Sequence, residues 1–127
     1  MARRAVAVVK ELFFAARIRE TARLTGVDAV MAPTPADLGS ALREPTDLVI
    51  IDLTTPGRDY DAFFEVVERA LPRPPVLGFT SHVLARETRA WHPWCDRVVT
   101  RETLTRELGG LLQHGLAFRP AASEVDP

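Results

Sequence analysis

The stretch Thr46 to Arg58, TDLVIIDLTTPGR, constrains the fold more than any other part of the chain. Leu48 to Ile51 are consecutively apolar, and Leu53 follows after the interruption at Asp52. A short β-branched run of this kind suits a strand buried on both faces of a parallel sheet. Asp52 then falls at the C-terminal edge of that strand, where open α/β sheets place their ligands. Thr54, Thr55, Pro56 and Gly57 break the strand into a loop.

Other runs repeat the theme. Ala5 to Val9, Val27 to Met31, Val76 to Phe79 and Arg97 to Thr100 read as four more strands. Between them the spacing predicts helices. Glu11 to Thr25 carries Phe14, Ile18, Thr21, Ala22 and Thr25 on one face and stops at Gly26. Thr34-Pro35-Ala36-Asp37 is a helix start, with Thr34 as cap, Pro35 in the first turn and Asp37 at the positive end. Asp61 to Leu71 turns Phe63, Phe64, Val67 and Leu71 inward and stops at Pro72. His82 to His92 is expected as a fourth helix with a thin apolar stripe, cut off by Pro93. Leu104, Leu108, Leu111 and Leu112 mark a final helix ending near Gly115, although Gly109 and Gly110 inside it each cost about 1 kcal/mol against Ala. Five strands alternating with five helices make a three-layer α/β sandwich with a parallel sheet. The pattern alone leaves the strand order open.

Composition narrows the class. A chain of 127 residues suits one domain with a core of useful size. Residues 1–115 form that domain in this reading, and 116–127, rich in Ala, Pro and Ser and aperiodic, form a tail expected to lack order. That tail is too short to fold as an output domain of its own. No apolar run approaches the ~20 residues of a membrane helix, and Arg3 and Arg4 precede only five apolar residues before Lys10, which is no secretory pattern. Net charge is −1, which argues against bulk nucleic-acid binding. Cys95 is the only cysteine, so no internal disulfide forms. A cytoplasmic protein is expected.

With these elements in place, hydrophobics-Asp52-hydrophobic-x-x-Pro56-Gly57 resembles the phosphoacceptor strand of response-regulator receiver domains. The resemblance covers roughly residues 4 to 115. It implies a flavodoxin-like, doubly wound sandwich with strand order 2-1-3-4-5. In that order the ends of the first, third, fourth and fifth strands converge. They bring together Lys10 and Glu11, Asp52 and Thr54, Thr80 to His82, and Thr100 and Arg101. In receivers an acid pair, the phosphoacceptor Asp and a backbone carbonyl hold Mg²⁺, while a hydroxyl and a lysine meet the phosphoryl group. The resemblance therefore implies Asp52 as phosphoacceptor position, Glu11, Asp52 and the Thr54 carbonyl as a weak Mg²⁺ set, and Thr80 and Arg101 as phosphoryl contacts.

The match has departures. Lys10 replaces the first acid of the pair, which changes the local charge by two units. An ammonium beside Asp52 would take the metal's place and favour the ionised carboxylate, and Mg²⁺ would lose an oxygen ligand. Arg101 replaces the lysine with a planar fork, Glu102 replaces the following proline, and Val98 stands where many receivers carry a switch aromatic. ELFFAARIRETARLTG and VLGFTSHV also resemble a subset of atypical receivers. A plainer reading stands beside each assignment. Glu11 fits the start of its helix as well as a metal. Thr80 and Ser81 suit a helix cap. His82 suits an exposed helix start, and His92 with Cys95 are two zinc-type ligands without a second pair. Phe13 and Phe14 are adjacent and cannot face the same way on a helix.

Three functions belong to a fold of this class. The first is a stand-alone atypical receiver acting in signalling through protein–protein interaction, non-enzymatic, with a degenerate phosphorylation site. The second is a Mg²⁺-dependent phosphoreceiver phosphorylated on Asp52 by a histidine kinase. The third, a flavin carrier or small flavodoxin-like enzyme, lacks the Gly-rich phosphate loop it would need after the first strand. Either receiver reading implies signalling proteins as partners, and neither nucleic acid nor membrane. The partner surface is expected around Trp91, Trp94 and Arg97, with core packing as the alternative for either tryptophan.

Overall fold

In the computed structural model, which describes residues 3–120, five strands run parallel. They are β1 (Arg4–Val8), β2 (Asp28–Met31), β3 (Leu48–Asp52), β4 (Val76–Thr80) and β5 (Arg97–Thr100). The sheet order is β2-β1-β3-β4-β5, as the receiver resemblance implies. The helices are α1 (Leu12–Thr25), α2 (Pro35–Ala41), α3 (Tyr60–Arg69) and α4 (Arg101–His114).

Burial explains why the strands were readable. β3 and β4 are buried along their whole length, and β1 at every position after Arg4. Successive side chains alternate between two cores. Ala5, Ala7, Leu48, Ile50, Leu77 and Phe79 face α1 and α4, whose Phe14, Ile18, Leu104, Leu108 and Leu111 complete one layer. Val6, Val8, Val49, Ile51 and Val76 face α2 and α3, whose Leu38, Phe63, Phe64 and Val67 complete the other. Each large side chain hidden this way contributes about 1.5–3 kcal/mol. Sheet order thus leaves the β1/β3 crevice at the point where the chain reverses its winding direction, with Asp52 at its lip.

Three expectations are corrected. Leu71, expected inward on the third helix, lies past the end of α3 and is 95% exposed. No α-helix forms over His82–His92. Turns run through this stretch, followed by a 3-10 segment, Arg89–Trp94, that contains Pro93. Of residues 82–88 only Thr88 is buried and Val83 is almost fully exposed, so the stretch has no apolar stripe to hold a helix against the sheet. The tail is ordered in its first part. Gly115–Ala117 make a 3-10 turn, and Leu116 and Phe118 pack against the α1/α4 core. The Phe118 ring lies across Gly110, where a Cβ would collide with it, and stacks beside His114 at 6.2 Å. Gly110 is therefore the seat of that ring. Residues 121–127, the rest of the expected tail, lie outside the described residues.

Candidate functional site

The strand ends deliver the expected cluster, but its charges are paired differently from the receiver pattern. Asp52 and Thr80 are both 4% exposed, at the ends of adjacent strands. One carboxylate oxygen of Asp52, Oδ1, accepts two hydrogen bonds from Thr54, from the backbone N–H at 2.8 Å and from the hydroxyl at 2.6 Å. The strand-to-loop turn thus folds Thr54 back onto the carboxylate it follows.

Glu11 sits at the N-cap of α1. Its carboxylate accepts the N–H groups of Phe13 at 2.8 Å and Phe14 at 3.0 Å. It also receives the Arg101 guanidinium at 2.6 Å. The Arg101 hydrogen bond, followed by that of the Phe13 N–H, holds the Glu11 carboxyl below the ordinary glutamate range. Arg101 itself lies over the Phe14 ring, 4.5 Å from its centroid. Phe14 is buried against Phe79, and Phe13 is 88% exposed, which answers how the adjacent pair divides.

Lys10 is exposed and forms no ion pair with Asp52. It lines a shallow pocket with Thr34, Thr55, Pro56 and Asp59. The expectation of an ammonium seated on Asp52 is therefore corrected. Its flexible, strongly hydrated side chain stays in water.

Other residues that sequence reading passed over reinforce Asp52. Tyr60 donates its hydroxyl to the Asp52 backbone carbonyl at 2.7 Å, and burial raises the phenol's pKa. Arg58 donates to the carbonyls of Val8 at 3.1 Å and Asp52 at 3.4 Å, closing the free ends of β1 and β3. Its guanidinium rests over Phe63 at 5.2 Å, and its Nη2 is buried without a partner. The available signal was a lone cation and a tyrosine in the first turn after a buried strand. On the other side, the Thr88 hydroxyl lies 3.0 Å from Thr80 Oγ1 and 2.8 Å from His92 Nε2. A three-residue chain thus runs from the site to the 3-10 segment.

This donor set does not suit Mg²⁺ as folded. Mg²⁺ requires near-octahedral oxygen ligands. Asp52 Oδ1 is engaged by Thr54, and Glu11 is committed to a helix cap and an arginine. Among the described residues, no three His, Cys, Asp or Glu side chains come together as a metal-holding group. His92 and Cys95 do not form a pair of ligands either. His92 turns to Thr88, and Cys95 packs against the second core with its thiol pushed up to about 12 by burial.

The expected partner surface divides across the sheet. Trp91 packs with the α2/α3 core and stacks on Phe64 at 6.1 Å, while Trp94 is 48% exposed. Arg97 alternates to the other face with Val99, where it donates to the Leu116 carbonyl at 2.6 Å. Arg97 therefore lies on the opposite face of the sheet from the two tryptophans.

The fold is that of response-regulator receiver domains. The receiver domain of a sensor histidine kinase from Pseudomonas aeruginosa superposes with a TM-score of 0.72 at 17% identity, over 92% of this chain and 99% of that one. That protein was solved with magnesium coordinated in its active-site cleft. A response regulator from Thermotoga maritima gives 0.71 at 13% identity, over 92% and 99%. A chemotaxis response regulator of Vibrio cholerae gives 0.68 at 17% identity, over 85% and 97%. No protein-family model and no curated protein sequence matches the chain. Among the described residues no helix is long and apolar enough to cross a membrane.

Proposed function

We propose that this chain is an atypical receiver that signals by protein–protein contact, with Asp52 at the phosphoacceptor position of a degenerate phosphorylation site. The observation that carries this reading is the Arg101–Glu11 pair. It joins the residue at the phosphoryl-contact position to the residue at the metal-ligand position, so each occupies the other. Phosphoryl transfer to a carboxylate relies on positioning and charge neutralisation. Here the neutralising groups neutralise each other. The module is non-enzymatic, and its partners are cytoplasmic signalling proteins, a histidine kinase among the candidates.

The second reading, a Mg²⁺-dependent phosphoreceiver, is favoured by one arrangement. Asp52 and the Thr80 hydroxyl are buried at the ends of neighbouring strands. For that reading to hold, Glu11 must leave Arg101 and turn to the metal. Incubation with acetyl phosphate and Mg²⁺, followed by intact mass, distinguishes the two. The atypical reading expects no phosphoryl adduct; an adduct that disappears in Asp52→Asn would establish the second.

A further inference from the structure

The collapse of the expected fourth helix into a 3-10 segment opens a groove against α3. Trp91, Trp94 and Phe64 form its apolar surface, and Asp61, Glu65 and Glu68 rim it. Positions 61, 64, 65 and 68 fall at i, i+3, i+4 and i+7, which is one stripe of a helix. The Phe64 ring lies 6.1 Å from Trp91 and 6.3 Å from Trp94. No basic side chain is among the groove's lining residues.

We infer that this groove docks an extended partner segment carrying arginines at alternate positions. This rests on the reading of the chain as an interaction module and names the chemistry of its partner. A guanidinium stacks on an indole and pairs with a carboxylate through its fork, which an ammonium does less well. At one end of the groove the chain's own Arg73 pairs with Glu68 at 2.7 Å and with Asp96 at 2.9 Å and donates to the Trp94 backbone carbonyl at 3.3 Å, so a guanidinium already sits among these carboxylates. Asp61 makes no ion pair among the described residues. Glu65 is held only by exposed Arg69, a surface pair of small worth that exchanges readily. Spacing fits as well. Asp61 and Glu65 are about 6 Å apart along the helix axis, and alternate residues of an extended strand are about 6.7 Å apart on the same side.

The chain's two tryptophans both line this groove, so tryptophan fluorescence reports on it. The test is a fluorescence titration of the full chain with the blocked peptide acetyl-Gly-Arg-Ala-Arg-Gly-amide, up to millimolar concentration. The control peptide carries citrulline in place of both arginines, which keeps shape and removes charge. Saturable quenching is expected, at least about tenfold weaker with citrulline and in Asp61→Asn/Glu65→Gln. Trp94→Ala is expected to weaken binding similarly, with Trp91 as reporter. Equal binding of the citrulline peptide would overturn the cationic partner while leaving an apolar interaction surface. No saturable change with either peptide would overturn the inference outright. So would sedimentation showing that the unliganded protein is a dimer that Trp94→Ala converts to monomer. None of these results bears on phosphorylation of Asp52, which the acetyl phosphate experiment reads separately.

Discussion

Arg101 grips Glu11 at 2.6 Å although 90 residues separate them in sequence. The contact spans from the start of α4 to the start of α1, over the buried ring of Phe14. It joins two helix starts, and the Glu11 carboxylate that receives Arg101 also caps α1 through the Phe13 and Phe14 N–H groups.

This pair gives a pH dependence whose sign is fixed. The folded-state pKa of Glu11 lies below its ordinary 4.5, chiefly through Arg101. Its contribution is therefore complete above the unfolded value and is lost as pH falls through the lowered folded one. Urea unfolding of wild type and Glu11→Gln should differ at pH 7. The difference should shrink below pH 4.5 and vanish at lower pH. A difference that grew on acidification would contradict the pairing.

Much of the fold was legible for one physical reason. The central strands β1, β3 and β4, buried on both faces, leave continuous apolar runs. Thr34 capped α2 as its sequence required. The region after β4 was not legible, because Thr88 is held by hydroxyl and imidazole contacts in place of an apolar stripe. Phe118 looked like part of a structureless tail because its partner is a missing side chain, at Gly110. In the candidate site the residue set was legible and the pairing was not. Helical spacing places Glu11 at a cap, yet nothing local brings Arg101 to it.

The two adjacent glycines of α4 should respond oppositely. At Gly109 an added Cβ meets only ordinary contacts with Thr25 and Thr21. Gly109→Ala should stabilise by up to about 1 kcal/mol. Gly110→Ala gains the same propensity but displaces the Phe118 ring, and should be neutral or destabilising. Chemical denaturation of both variants checks the sign, and Gly110→Ala in a Phe118→Ala background should recover the gain.

Thr88→Val should cost about 1–3 kcal/mol, because it leaves Thr80 and His92 without the hydroxyl that joins them. Nitrogen NMR of the His92 ring should shift in this variant and also in Thr80→Val. A ring unaffected by Thr80→Val would mean that no continuous chain links the site to the 3-10 segment.

Arg58→Met should destabilise by about 1–3 kcal/mol while keeping the contact with Phe63. The loss comes from the Val8 and Asp52 carbonyls that Arg58 serves. Amide exchange should quicken first at the ends of β1 and β3. Uniform quickening across the sheet would argue against a local clasp.

The central claim, that Arg101 and Glu11 disable the site by occupying each other, is tested most directly by beryllofluoride binding with Mg²⁺, followed through amide NMR shifts. Wild type should show no saturable shifts at Asp52, Thr80 and Arg101 even at high Mg²⁺, and should match Asp52→Asn. Saturable shifts at those residues in wild type, absent in Asp52→Asn, would show a working phosphoryl site and contradict the claim.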